Sequence, residues 1–143
     1  MSNSSGFARG QALRAAVLGF ATCAMCWPVS AATVTRTGTV AATLKITFTQ
    51  APPDGSSVSC AVTLIGSDTN APTDSKFISA AVSGTGAVCK IALHYKWLLD
   101  SATSKMTIAY SVSGPNQTSS GIADVITVPA NGTNTHVAIA ITQ

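Results

Sequence analysis

Glutamate is absent from these 143 residues, and charged side chains of all kinds make up only 9% of them. Without glutamate there is no EF-hand loop, which closes on a bidentate Glu. Paired-carboxylate chemistry of the glycosidase type is left to Asp54, Asp68, Asp74, Asp100 and Asp124, four of which fall in or beside expected turns. Histidine is scarce as well: His94 and His136 are the two present. With no G-x-S-x-G elbow beside them, a nucleophile–base–acid arrangement has little to build on. Basic residues are few and spread along the chain, unlike the clustered Lys and Arg of nucleic-acid binders, so no nucleic-acid partner is expected. Sparse charge on a chain that is 46% hydrophobic also excludes an intrinsically disordered protein.

What is present begins with an address. Arg9 and Arg14 precede an apolar run from Ala15 to Trp27, too short to span a membrane, which Pro28 ends. Small residues at Val29-Ser30-Ala31-Ala32 then suit a signal peptidase, so residues 1–32 read as a signal peptide cleaved after Ala31 or Ala32. Removal leaves 111 residues (143 − 32), the size of one domain, at 33–143. The formal charge falls from +3 to +1, because Arg9 and Arg14 leave with the segment. The expected location is secreted or periplasmic, with no transmembrane segment after cleavage.

The same cut takes Cys23 and Cys26. Their C-x-x-C spacing would be a redox motif at the start of a thioredoxin-like helix, but here it lies in a segment marked for removal. The residues before Cys23 and Cys26 are also poor matches to a lipid-attachment site. Cys60 and Cys89 remain, and two cysteines in an oxidising compartment are expected to form one disulfide.

From Val40 onward, apolar and polar residues alternate with period two between turn-forming clusters, as in a sandwich or barrel. Seven strands are expected. Val40–Phe48 is the first and Val58–Leu64 the second, with a weaker third from Phe77 to Val82. The fourth has Cys89, Ile91, Leu93, Tyr95 and Trp97 on one face and Lys90, Ala92, His94 and Lys96 on the other. The last three are centred on Met106–Val112, Ile122–Val128 and Val137–Ile141. Ser83-Gly84-Thr85-Gly86 is short enough for a hairpin connection. Cys60 and Cys89 both fall on apolar faces, so the bridge is expected inside the core. Together these features predict an all-β, immunoglobulin-like antiparallel sandwich.

Thr33–Thr39 carries the alternation of the first strand backward, with Val34, Arg36 and Gly38 in phase with Val40. Pilus subunits of the chaperone and usher kind use such an extension to complete a neighbour's sheet. This chain resembles that plan in the extension alone. It has its own seventh strand, lacks an aromatic residue at its C-terminus, and would place Arg36 in an apolar groove. A free tail or a short extra strand is expected.

Tyr95 and Trp97 are the candidate ligand-binding pair, since aromatic rings on an exposed sheet can stack on sugars; sharing a face with Ile91 and Leu93 favours core packing instead. Of the two, Trp97 is expected to be the more exposed. Asp68-Thr69-Asn70 with Asp74 could offer oxygen ligands to calcium, but the segment reads first as an Asx-type turn. No metal and no cofactor is expected. The leading functional expectation is an exported non-enzymatic protein with a structural, adhesive or protein-interaction role, partnered by another envelope or surface protein. A secreted carbohydrate- or small-ligand-binding module using Tyr95 and Trp97 is the alternative. A small hydrolase centred on His94 or His136 ranks third.

Overall fold

Alternation drives the architecture: wherever every second residue is apolar, a strand can bury one face and wet the other. A computed structural model describes residues 32–68, 70 and 72–143; residues 1–31 of the expected signal peptide, with Cys23 and Cys26, lie outside the described residues. Seven strands form, β1 (Val34–Thr47), β2 (Ser57–Gly66), β3 (Thr73–Ala81), β4 (Gly86–Leu99), β5 (Lys105–Ser113), β6 (Thr118–Thr127) and β7 (Thr133–Thr142). They make a three-stranded sheet of order β4-β1-β7 and a four-stranded sheet of order β3-β2-β5-β6.

The two sheets share one core. Val40, Leu44 and Ile46 of β1 meet Val58, Val62 and Leu64 of β2 and Met106 and Ile108 of β5, all no more than 1% exposed. At roughly 1.5 to 3 kcal/mol for each large apolar side chain buried, this interior is the main favourable term. Cys60 of β2 and Cys89 of β4 are bridged across it, with Cα atoms 6.4 Å apart, so the disulfide joins one sheet to the other. Both cysteines occupy inward positions, as the phase of their strands predicts.

Strand order differs from that of the immunoglobulin constant domain, whose sheets run 1-2-5-4 and 3-6-7 in chain order. Here the second and fifth strands still pair, but the first is central in its sheet, antiparallel to β4 and parallel to β7. The immunoglobulin likeness therefore extends to the two-sheet plan and not to the connections.

The N-terminal extension is neither a free tail nor an extra strand. Val34–Thr37 continues β1 without a break and pairs with Leu99–Lys96 of β4. Beyond the reach of β7, the Asn131 side-chain oxygen accepts the Thr37 N–H at 3.0 Å, and the Thr37 carbonyl accepts the Gly132 N–H at 2.9 Å. Gly38 is required where β1 passes under Tyr95, because a Cβ there would lie 2.5 Å from the Tyr95 hydroxyl oxygen and 2.9 Å from the Thr133 carbonyl.

Two further expectations change. Ser83–Gly86 is a tight turn closed by reciprocal backbone bonds of 2.8 and 3.1 Å, with Gly84 at a φ of 57°, yet the strands it joins enter different sheets. Asp74 lies inside β3 rather than in a turn, because the strand starts at Thr73, before its apolar residues begin.

Candidate functional site

The outer side of the four-stranded sheet can be read row by row from its pairing. Ser79–Ser59–Ser113–Thr118 forms one row across β3, β2, β5 and β6, and Phe77–Ala61–Ser111–Ser120 the next. Ser75–Thr63–Ala109–Ile122 and Thr73–Ile65–Thr107–Val125 follow. None of these side chains is charged. Charge enters only at one end, where Lys105 donates to the Thr127 hydroxyl at 2.7 Å and a bulge opposite Ile108 turns Asp124 outward. Strand spacing and rise make the four rows a patch of about 15 by 20 Å.

Apolar side chains interrupt this small-residue floor. Phe77 is 79% exposed and Ile122 65%, with Val125 and Ile65 also open. A phenylalanine this exposed on an edge strand, beside other open apolar groups, marks a contact surface better than any single exposed residue would. Neighbouring hydroxyls bond one another, Thr63 to Ser75 at 2.9 Å and Ser59 to Ser79 at 3.4 Å, which holds the floor's side chains in place.

The three-stranded sheet presents different chemistry. Its outward rows run Val88–Lys45–Ala140, Lys90–Thr43–Ala138, Ala92–Ala41–His136 and His94–Thr39–Asn134, with Lys96 beside Thr37 beyond them. Both histidines of the chain are on this face. His94 Nδ1 and the Thr39 hydroxyl are 2.8 Å apart. Nucleophile–base pairs show such a distance too, but this one stands in water on an open sheet among Thr, Ala and Lys.

Tyr95 and Trp97 point the other way. Each is 3% exposed, and their ring centroids are 5.4 Å apart with planes inclined by 49°. The expectation that Trp97 would be partly exposed fails because β4 runs two residues further, to Leu99, and β1 covers it as far as Val34. The Trp97 indole N–H donates to the Asp74 carboxylate at 2.6 Å, a bond that crosses from β4 to β3. As placed, the pair packs the core and offers no ring to a sugar.

The Tyr95 hydroxyl is buried without a hydrogen-bond partner, beside the inward-facing Arg36, whose Nε is likewise unpartnered. Burial pushes the phenol up from its usual value of 10.0, against the opposing pull of the Arg36 charge. Tyr95→Phe removes an unsatisfied polar atom and is expected to raise stability by about 1 kcal/mol in urea melts. The sign with pH follows from the raised folded value: stability is whole below about pH 10 and is lost as the phenol ionises above it. In the Phe variant this alkaline loss shrinks.

The Asp68 carboxylate accepts the Asp100 N–H at 2.7 Å and so ties the β2–β3 loop to the end of β4. Among the described residues no three of His, Cys, Asp and Glu gather to hold a metal ion. An open depression of about 460 Å³ lies between the sheets at the β3–β4 turn, lined by Ile46, Ala81, Ser83, Thr85 and Val88 among others. It is at the far end of β4 from Tyr95 and Trp97.

Alternation separates inward from outward residues, the Lys90, Ala92, His94 and Lys96 face of β4 included, but it does not assemble the outward residues into two surfaces. Their signal was present as Ser, Thr and Ala at alternate positions of β2 and β5, but only the pairing order shows which rows they form. Fold and faces together define a disulfide-bridged, seven-stranded β-sandwich with one uncharged and one cationic surface. Comparison of the chain with protein-family models, with curated proteins and with solved structures finds no match.

Proposed function

We propose that this is an exported, non-enzymatic protein that works by contact, docking the uncharged outer face of its four-stranded sheet onto another protein of the envelope or cell surface. One observation carries the reading: Phe77, Ile122, Val125 and Ile65 stand exposed on a floor of Ser, Thr and Ala that requires almost no charge to be desolvated on binding. Interface cores are depleted in charge and enriched in aromatic residues, and this face has that composition. The signal-like N-terminus and the Cys60–Cys89 bridge support an extracytoplasmic location. Among the described residues no helix is long and apolar enough to cross a membrane.

Phe77→Asp tests the reading. Since Phe77 is exposed, the substitution should leave the thermal midpoint within about 2 °C of the parent, consistent with the small effect of surface changes. Capture of envelope proteins, or self-association by sedimentation, should drop at least tenfold. A parent that sediments as a monomer and retains nothing from solubilised envelopes sinks the proposal.

A further inference from the structure

We propose that the outer face of the β4-β1-β7 sheet binds a linear anionic polysaccharide. The proposal is independent of the reading above, because it uses the opposite side of the sandwich.

The pairing gathers charge that is dispersed in the sequence. Lys45, Lys90 and Lys96 all point outward from this sheet, joined by His94 and His136. Lys76 reaches over from β3 and donates to the Ala92 carbonyl at 3.1 Å, bringing a fourth ammonium to the middle of the free edge of β4. No aspartate occupies an outward position of the sheet: Asp54, Asp68 and Asp100 are in loops, and Asp124 is on β6. Asp74 lies along the β3 edge, where its carboxylate accepts the Trp97 indole N–H. A chain with a net charge near +1 after loss of its signal thus carries most of its positive charge on one side.

Geometry selects the shape of the anion. Lys90 and Lys96 are six residues apart on one strand, about 20 Å at the usual rise. Lys45 sits diagonally across from Lys90, at a Cα separation of about 7 to 8 Å. Between them the floor is Thr39, Ala41, Thr43, Ala92 and Ala138, short side chains that leave the ammonium groups standing free. A shallow depression of about 220 Å³ at the β3–β4 edge takes in Lys76 and His94 together with Asp74 but not Lys45, Lys90 or Lys96, so among the described residues no cavity converges the whole set on one small anion. An extended chain with repeating carboxylates or sulfates, laid along β4, meets them in succession while the threonine hydroxyls face its sugar hydroxyls. A membrane surface fits less well, because the apolar groups that would insert, Val88 and Leu98, lie at opposite ends of β4 rather than at the centre of the face. Attraction among exposed charges is screened within about 8 to 10 Å, so binding should weaken steeply with salt.

The test uses the exported protein, immobilised heparin and polygalacturonate as sulfated and carboxylated probes, and dextran as the neutral control. Retention by both polyanions at 50 mM salt, loss near 500 mM and no retention by dextran are expected. Lys90→Gln/Lys96→Gln should weaken binding at least tenfold. Lys105→Gln/Ser120→Asp lowers the net charge by the same two units on the opposite face and should change it less than twofold. Equal loss in both variants would show attraction by net charge alone and overturn the assignment. So would absence of retention at low salt, or stronger binding to phosphatidylglycerol vesicles than to either polysaccharide. Phe77→Asp leaves this binding intact, which keeps the outcome separate from that of the uncharged face.

Discussion

Replacing Cys60 or Cys89 with alanine lowers the unfolding free energy by about 2 to 5 kcal/mol, the range for loss of a native bridge from a small secreted domain. The crosslink closes a loop of 29 residues, for which the chain-entropy account gives roughly 3 to 4 kcal/mol. Its place in the fold argues for an effect inside that range. The bridge runs from β2 to β4, so it joins two sheets that share no ladder hydrogen bonds, and both sulfurs lie among residues with essentially no exposure. A single replacement leaves a lone buried thiol, which packs as a small hydrophobe and adds little penalty of its own. The double alanine variant should therefore be nearly as unstable as either single one. Urea melts of the three variants and of reduced parent check this, with the midpoint shifting in all four comparisons. Two reactive thiols in the denatured, unreduced exported protein would show that the bridge does not form.

That bridge was legible because the expected loss of Cys23 and Cys26 leaves two cysteines, and phase turns both of them inward. Cys60 alternates with Val58, Val62 and Leu64, and Cys89 with Ile91 and Leu93, so each strand separately turns its cysteine inward. Pairing order is a different kind of information. Nothing in the alternation of β1 says that it will sit between β4 and β7, since every strand with one apolar face satisfies the same rule. The structure pairs the N-terminal part of β1 with Lys96–Leu99 of β4, and Gly38 leaves room there for the Tyr95 ring, neither of which alternation specifies. Alternation does carry back through Val34, Arg36 and Gly38, but it does not say that this segment runs on unbroken as β1 against Leu99–Lys96 of β4. The cationic face was hidden for the same reason. Lys45 and Lys90 are 45 positions apart and become diagonal neighbours only when Thr43 pairs with Lys90. Asp74 has the residue type of a turn, and its place in a strand follows only from β3 beginning at Thr73, before its first apolar side chain.

Trp97→Ala should cost about 3 to 5 kcal/mol, as large aromatic truncations in cores do. The indole is 3% exposed, packs on the Tyr95 ring and covers the end of the sandwich where Arg36 enters from β1. Trp97→Phe separates two contributions. It keeps most of the ring's packing but removes the N–H that reaches Asp74, leaving the carboxylate without that donor. A hydrogen bond to a charged group is worth about 1.5 to 3 kcal/mol, and this one is only partly buried, so a loss of about 1 to 2 kcal/mol is expected. If Phe proves as damaging as Ala, the link from β4 to β3 through Asp74, rather than the volume of the ring, holds this edge closed. Fluorescence adds an independent readout, because Trp27 falls in the proposed signal segment, and the proposed mature protein, residues 33–143, has Trp97 as its sole indole. A buried indole emits toward the blue and stays put when glycans are added. Emission near that of free tryptophan, or a shift on titration with a sugar, would return Trp97 and Tyr95 to a ligand-binding role and place the ring outside the core.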